Sequence, residues 1–131
     1  MVRIGFGSDC MKKLLLITGD IAAGKTTFSN KLSDRYNAVV FQKDTVKEIL
    51  GDHIGFQNRA ENKKLSAATM NILYHIFSNV AKTGSPIILE SNFHEAEQVR
   101  LHSIAEENGY QVLTLVLRGD ADVLYQRYLH F

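Results

Sequence analysis

The sequence predicts an α/β protein in which a parallel sheet is covered by helices on both faces. Continuous apolar runs, which are typical of strands buried on both faces, recur at residues 14–18, 38–41, 86–92 and 111–117. Helical patterns follow these runs at 27–36, 59–82 and 95–108, and a last helix begins at 121–128. Strands and helices that alternate in this way form a parallel sheet with right-handed crossovers.

Length and composition fit one ordinary globular domain. The chain has 131 residues, of which 45% are hydrophobic and 22% charged, and its formal net charge is +1. No basic excess therefore indicates a nucleic-acid partner, and no apolar run reaches the roughly 18 residues of a membrane span. The single cysteine, Cys10, allows no internal disulfide. We expect a cytoplasmic protein that binds neither nucleic acid nor membrane.

Residues 1–10 match no element of the rest of the chain. We expect them to form a loosely ordered N-terminal extension, and Met11 could be the natural start. A single domain is then predicted over residues 11–131.

The stretch between the first strand and the first helix carries the most specific pattern. Residues 19–27 satisfy G-x-x-x-x-G-K-[ST] without a mismatch, which is the phosphate-binding P-loop, or Walker A, pattern. The residues that we expect to bind nucleotide are Gly19, Asp20, Ile21, Ala22, Ala23, Gly24, Lys25, Thr26 and Thr27. The alternative is a glycine-rich turn without a ligand, but such a turn does not require Lys and Thr in this order.

Each residue that the pattern fixes has a chemical role. Gly19 and Gly24 permit positive φ angles, so that successive N–H groups can surround an anion at the N-terminus of the helix. Lys25 is expected to bridge the β- and γ-phosphates of ATP, and the Thr26 hydroxyl is expected to bind Mg²⁺.

Asp44 is the second candidate residue. It follows the run 38–41 and precedes a short helical stretch at 46–50, so it lies at the carboxyl end of a strand, where open α/β sheets bind ligands. The alternative interpretation is a helix N-cap.

Residues 51–59 read as a loop, and their D-x-x-G match at 52–55 does not follow a strand. Arg59 could hold an anionic group of a substrate, or it could be a solvated residue at the start of the long helix. That helix is predicted to stop at Gly84 and Pro86 and to bury one stripe on its surface. The stripe comprises Leu65, Ala68, Ile72, Ile76 and Val80, and Met70, Leu73 and Phe77 are expected to widen the buried face.

The third apolar run ends in an acid, Glu90. In a chain with a P-loop, an acid at the end of a strand is the expected position of the Walker B residue, which helps to hold Mg²⁺. The alternative is a charged residue at the end of a strand with no such role. Asn92 follows on the same edge and is expected to line a substrate pocket. His94 and His102 have no metal-site spacing, so zinc is not expected.

The P-loop, the acids after the second and third strands, and the Leu-x-x-Arg that ends at Arg127 together resemble the P-loop small-molecule kinases. The resemblance is to predicted kinases related to chloramphenicol phosphotransferase and zeta toxin, with nucleoside monophosphate kinases more distant, and it covers residues 12 to 130. It implies a three-layer fold with strand order 2-3-1-4-5 and Mg-ATP as the phosphate donor. It also implies that Asp44 orients or deprotonates the acceptor hydroxyl, that Glu90 takes the Walker B place and that Arg127 lies against the nucleotide.

The sequence departs from that family at its C-terminal end. The position of a second lid arginine is Phe131, and no lid body or fifth strand is found, so we expect a sheet ordered 2-3-1-4 in a C-terminally incomplete domain. An exposed fourth-strand edge would invite a homodimer.

Two hypotheses follow for function. The first is ATP-dependent phosphoryl transfer to a hydroxyl of a small molecule, with Lys25, Asp44 and Arg127 as catalytic residues. The second is a nucleotide-binding regulatory module with impaired catalysis. A GTPase switch is disfavoured because the Asn-Lys-x-Asp motif that reads guanine is absent from the sequence. The acceptor itself could be a sugar, an antibiotic or a nucleotide.

Overall fold

A computed structural model describes residues 12–20 and 24–118. Within them lie four strands and four helices: β1 (Lys13–Gly19), α1 (Lys25–Tyr36), β2 (Val39–Gln42), α2 (Lys43–Ile54), α3 (Arg59–Thr83), β3 (Ile87–Glu90), α4 (Glu95–Glu107) and β4 (Gln111–Leu117). The strands form one parallel sheet in the order β2-β3-β1-β4. The predicted α/β class and strand order are therefore confirmed. The predicted N-terminal extension and the last helix with Arg127 lie outside the described residues.

Alternate side chains of β1 pack into two different core clusters, one on each face of the sheet. Leu14 and Leu16 belong to a core cluster with residues of α3 and α4, whereas Leu15 and Ile17 belong to a second cluster with Phe28 and Leu32 of α1. Successive side chains of a strand point to opposite faces, so helices cover both faces of the sheet.

The second strand differs from its prediction. The run 38–41 was expected to be covered on both faces, but β2 is an edge strand of the described sheet and Val39 is 46% exposed. The apolar pattern of a strand does not show whether it has a neighbouring strand on both sides, so a continuous apolar run can also form an edge strand.

The short helix predicted at 46–50 is longer in the structure. Helix α2 continues through Gly51 and ends at Ile54, and the Gly55 N–H then donates to the Gly51 carbonyl at 2.9 Å. The D-x-x-G match is therefore the end of a helix and its cap. Glycine inside a helix is unfavourable by about 1 kcal/mol relative to alanine, which is why residue 51 was assigned to a loop.

The long helix α3 is found where it was predicted. Met70, Leu73 and Phe77 are buried as expected, whereas Ile72, Ile76 and Val80 are only partly buried. Asn58 caps it by accepting the Glu61 N–H at 2.9 Å. The buried side chains are Leu65, Thr69, Met70, Leu73, Phe77 and Ala81, whereas Ala68 is exposed. The buried Thr69 hydroxyl donates to the Leu65 carbonyl at 2.7 Å, which satisfies a polar group that the apolar pattern could not include.

Among the helices of residues 12–20 and 24–118, none combines the length and the apolar character that crossing a membrane requires.

Candidate active site

The polar residues singled out in the sequence meet at the carboxyl edge of the sheet. Ile17 of β1 lies in register with Glu90 of β3, and the Ser91 N–H donates to the Ile17 carbonyl at 3.0 Å. Since both strands run in the same direction, the segments that follow them begin side by side. This pairing brings the P-loop beside residues 90–92.

The P-loop is described at both of its ends, while Ile21, Ala22 and Ala23 lie outside the described residues. Gly19 has φ +134° and Gly24 has φ +74°, and Gly24 is the N-cap of α1. A Cβ on Gly19 would lie 2.1 Å from the Leu117 carbonyl oxygen. The sequence pattern gave a ligand-based reason for glycine at this position, and the close approach of β4 is a second reason that it could not reveal.

Lys25 is held by three neutral oxygens. Its ammonium Nζ lies 3.0 Å from the Gly19 carbonyl, 3.4 Å from the Asp20 carbonyl and 3.2 Å from Asn92 Oδ1, and the residue is only 8% exposed. Asn92, which was expected to line a substrate pocket, therefore contacts the P-loop lysine. A positive charge without a carboxylate partner in these contacts is available to an incoming anion.

Thr26 and Glu90 form the neighbouring pair. The Thr26 hydroxyl donates to Glu90 Oε2 at 3.4 Å, and Glu90 is 4% exposed. Burial raises the pKa of the Glu90 carboxyl above its ordinary value of 4.5; Lys25 lowers this pKa, Asp44 raises it, and the Thr26 hydrogen bond lowers it. A buried carboxylate thus faces a hydroxyl beside the P-loop.

That pair fits a magnesium ion. Mg²⁺ prefers oxygen ligands and is usually bound by one or two protein groups, with phosphates and waters completing its shell. The described part of the chain contains no cluster of three or more His, Cys, Asp or Glu residues arranged for a metal. The Glu90 carboxylate and the Thr26 hydroxyl are groups that could hold the Mg²⁺ of a bound nucleotide.

Replacing Glu90 by glutamine is expected to stabilise the metal-free protein. Because the folded-state pKa is raised, the folded protein keeps its proton to higher pH than the unfolded chain does, so the free energy of unfolding falls as the pH rises from 4.5 through the folded pKa. Glu90→Gln removes this loss, and we expect its Tm near neutral pH to rise by a few degrees, since about 1 kcal/mol shifts the Tm of such a domain by roughly 4 °C.

Thermal melting without metal, between pH 4 and pH 8, measures this effect. The matched control is Glu106→Gln, which alters an exposed glutamate on α4 and should change the Tm little. A lower Tm for Glu90→Gln than for the wild type would contradict the prediction and would mean that the contacts with Lys25 and Thr26 outweigh burial.

Asp44 is the second residue of α2 and does not cap it. The N-cap is Gln42, and no side chain caps that end of the helix. The Asp44 side chain is exposed, and its charge raises the pKa of Glu90. The N-cap interpretation of Asp44 is therefore wrong, and its role as an acid of the site stays a prediction.

Neighbouring polar contacts that sequence reasoning missed hold this edge together. Gln42 Nε2 donates to Ser29 Oγ at 3.0 Å and to Asn30 Oδ1 at 2.8 Å, which ties the start of α2 to α1. Buried Lys43 lies 3.8 Å from Glu97 Oε2, and Glu97 also accepts the His94 N–H at 2.9 Å. The spacing of His94 and Glu97 matches a capping box, but histidine is not among the usual cap residues.

A cavity of about 330 Å³ opens next to Asp44, between α2 and the start of α3. Its side chains include Asp44, Lys47, Glu48, Asp52, Phe56 and Asn62. Arg59 is the first residue of α3 and is exposed, but it does not line this cavity. The assignment of Arg59 to a substrate stays a prediction.

A larger cleft of about 610 Å³ lies elsewhere, along α4. It is lined by Glu95, Gln98, Val99, His102, Ser103 and Glu106, which recur at helical spacing on one face of that helix. None of the predicted site residues takes part in it, so we regard it as a surface groove.

The strand order and the P-loop define the class of this protein's fold, the P-loop kinase-like α/β fold. The chain belongs to a family described as an AAA domain, whose model matches residues 14–129. No curated protein matches the chain.

Solved structures give the same fold. A Chloroflexus aurantiacus protein described as a "putative kinase" is 27% identical, with a TM-score of 0.77 over 92% of this chain and 66% of its own. The APS kinase of Mycobacterium tuberculosis is 13% identical (TM-score 0.63; 92% and 96% covered), and a Sinorhizobium meliloti gluconokinase is 12% identical (0.57; 92% and 65%). The chain therefore spans slightly less than two thirds of the Chloroflexus and Sinorhizobium proteins.

Proposed function

We propose that this protein transfers the γ-phosphoryl group of ATP to a hydroxyl of a small molecule, with Mg²⁺ as cofactor. One observation carries the proposal: Lys25 and Thr26 of the P-loop lie within hydrogen-bond distance of Asn92 and Glu90 at the edge of the sheet. Phosphoryl transfer depends mainly on positioning and on stabilising negative charge, and this cluster supplies an ammonium, a hydroxyl and a carboxylate for that purpose.

Lys25 would hold the β- and γ-phosphates. Its three hydrogen bonds are all to neutral oxygens, so phosphate oxygens can replace some of them with stronger charge-assisted bonds. Asn92 is the side-chain partner that can release the ammonium at little cost, because it is exposed to water. Backbone N–H groups at the N-terminus of α1 would bind the same phosphates.

Thr26 and Glu90 would hold Mg²⁺, which when bound neutralises charge on the phosphates. Glu90 must be ionised for this role, and its raised pKa means that the ion and the proton compete for the carboxylate. Activity is therefore expected to fall on the acid side at a higher pH than it would with an ordinary glutamate.

Asp44 would act on the acceptor, since it lines the 330 Å³ cavity and its charge raises the pKa of Glu90. An acceptor hydroxyl in that cavity would attack the γ-phosphorus. A new O–P bond forms, the bond between the γ-phosphorus and the β–γ bridging oxygen breaks, and the hydroxyl proton passes to the Asp44 carboxylate. The products are ADP and the phosphorylated acceptor.

Asp44→Asn tests this assignment. We expect the variant to bind Mg-ATP as the wild type does and to lose about 100-fold in acceptor-dependent ADP formation, which is the usual scale for a general base. Calorimetry with Mg-ATP and an ADP-release assay over a panel of sugars, amino alcohols and nucleosides measure both quantities.

The two functional hypotheses give different results in these assays. Mg-ATP binding without ADP formation for every acceptor would favour the regulatory nucleotide-binding module. Wild-type turnover by Asp44→Asn would remove Asp44 from the mechanism, and failure of the wild type to bind Mg-ATP would overturn the proposed function itself.

A further inference from the structure

We infer that the acceptor of this enzyme is a small molecule that carries a positive charge, such as an amino sugar or an amino cyclitol, in addition to its reacting hydroxyl. This inference rests on the proposed function, because it names the class of substrate for the cavity beside Asp44. The following observations on the cavity support it.

The first observation is the charge of the lining. Asp44, Glu48 and Asp52 supply three acidic groups, and Lys47 is the single basic side chain among the lining residues. Within the described residues, none of these three carboxylates takes part in an ion pair. A cavity with uncompensated negative charge attracts a cation and repels carboxylated or phosphorylated molecules.

The second observation is the order of the three acids along α2. They lie four and eight residues apart on one face of the helix, and a helix rises about 1.5 Å per residue, so Glu48 and Asp52 lie about 6 Å and about 12 Å beyond Asp44. Asp44 is the acid whose charge reaches Glu90. The reacting hydroxyl would therefore lie at Asp44, and an ammonium about one helical turn or two turns away would meet Glu48 or Asp52.

The third observation is an exposed aromatic ring in the lining. Phe56 is 52% exposed, and its ring lies beside Gly51, where a Cβ would be 3.6 Å from a ring carbon. Aromatic rings attract ammonium groups and also contact the apolar faces of sugar-like rings. Phe56 therefore suits a cation on a carbon ring better than it suits a phosphate group.

The fourth observation is size. At about 330 Å³ the cavity is close to the lower end of the roughly 300–1,000 Å³ that ligand pockets span. It matches an acceptor of one or two small rings.

Two matched sets of acceptors test the inference by ADP release with Mg-ATP. The first set is glucosamine, glucose and glucuronate, and the second is 2-deoxystreptamine with myo-inositol. We expect kcat/KM for the amines to exceed that of the neutral partners by at least about tenfold, the scale of a hydrogen bond to a charged group, and glucuronate to give no turnover.

Variants of the lining give a second, independent readout. Glu48→Gln and Asp52→Asn should raise KM for an amine acceptor, with at least one of them lowering kcat/KM about tenfold, and the neutral partner should lose several-fold less. Lys47→Gln should change the preference in the opposite direction, towards still stronger selection for cations. The matched control is Glu106→Gln on α4, outside the cavity, which should leave all acceptors unchanged.

The outcomes separate this inference from the proposed function. Intact Mg-ATP binding together with equal or better turnover of neutral or anionic acceptors would overturn the cationic class alone. If Mg-ATP binds and no acceptor of either set raises ADP release above its basal rate, the cationic class is overturned and the regulatory module is favoured over the proposed function. Failure of the wild type to bind Mg-ATP would instead overturn the proposed function.

Discussion

Lys25→Ala is expected to reduce phosphoryl transfer by about 1,000-fold and to weaken Mg-ATP binding, because it removes the P-loop ammonium. A lost charge-stabilising group of this kind typically changes kcat by about 10²–10³. The effect should be at the high end, since Lys25 is buried and is the lysine of the P-loop motif. Solvent cannot replace a buried cation at the same place.

The measurements are ADP release and calorimetry with Mg-ATP. Lys25 has no carboxylate among its three described hydrogen-bond partners, so the fold should survive the substitution, and circular dichroism would check this. The matched control is Lys82→Ala, which removes an exposed lysine at the far end of α3. If Lys25→Ala turned over ATP as well as Lys82→Ala does, the kinase proposal would be wrong.

The second large effect concerns stability. Gly19→Ala is expected to lower the free energy of unfolding by at least about 3 kcal/mol, because the new methyl would lie 2.1 Å from the Leu117 carbonyl oxygen and 2.7 Å from its nitrogen. Both are backbone atoms of the paired strand β4, so no side chain can rotate away to make room. The strand pair itself would have to separate, and the Asp20 N–H would lose its 3.1 Å bond to Leu117.

Urea denaturation measures this change, and Gly55→Ala is the control. Gly55 also has a positive φ, +79°, but a Cβ there would meet nothing within 4 Å. With φ +79° and ψ 169°, Gly55 lies in a region that is open essentially to glycine, so its substitution reports backbone strain alone, at roughly 1–3 kcal/mol. Equal losses for the two variants would show that the close approach of β1 and β4 does not limit residue 19.

The parts of the fold that were predictable from sequence are those with local signals. The P-loop pattern places its own glycines and lysine, and the buried run of β1 has no polar residue between Leu14 and Ile17. Since βαβ crossovers have one handedness, alternation then limits the sheet to few topologies. The start of α3 at Arg59 and its end before Gly84 also follow from local residues.

The remaining features depend on distant neighbours. The contact between Lys25 and Asn92 joins residues 67 positions apart, and nothing near Asn92 in the sequence indicates it. Helix α2 continues through Gly51 despite the low helix propensity of glycine, which the local sequence could not indicate. The side-chain contacts of Gln42 and the burial of Lys43 likewise arise only when α1, α2 and α4 are brought together.

All the lining residues of the 330 Å³ cavity come from one uninterrupted stretch, between Asp44 and Asn62, whereas the groups beside the P-loop come from β1, α1 and the end of β3. Exchanging this single segment between related chains should therefore change the choice of acceptor and leave the residues around the phosphate donor in place.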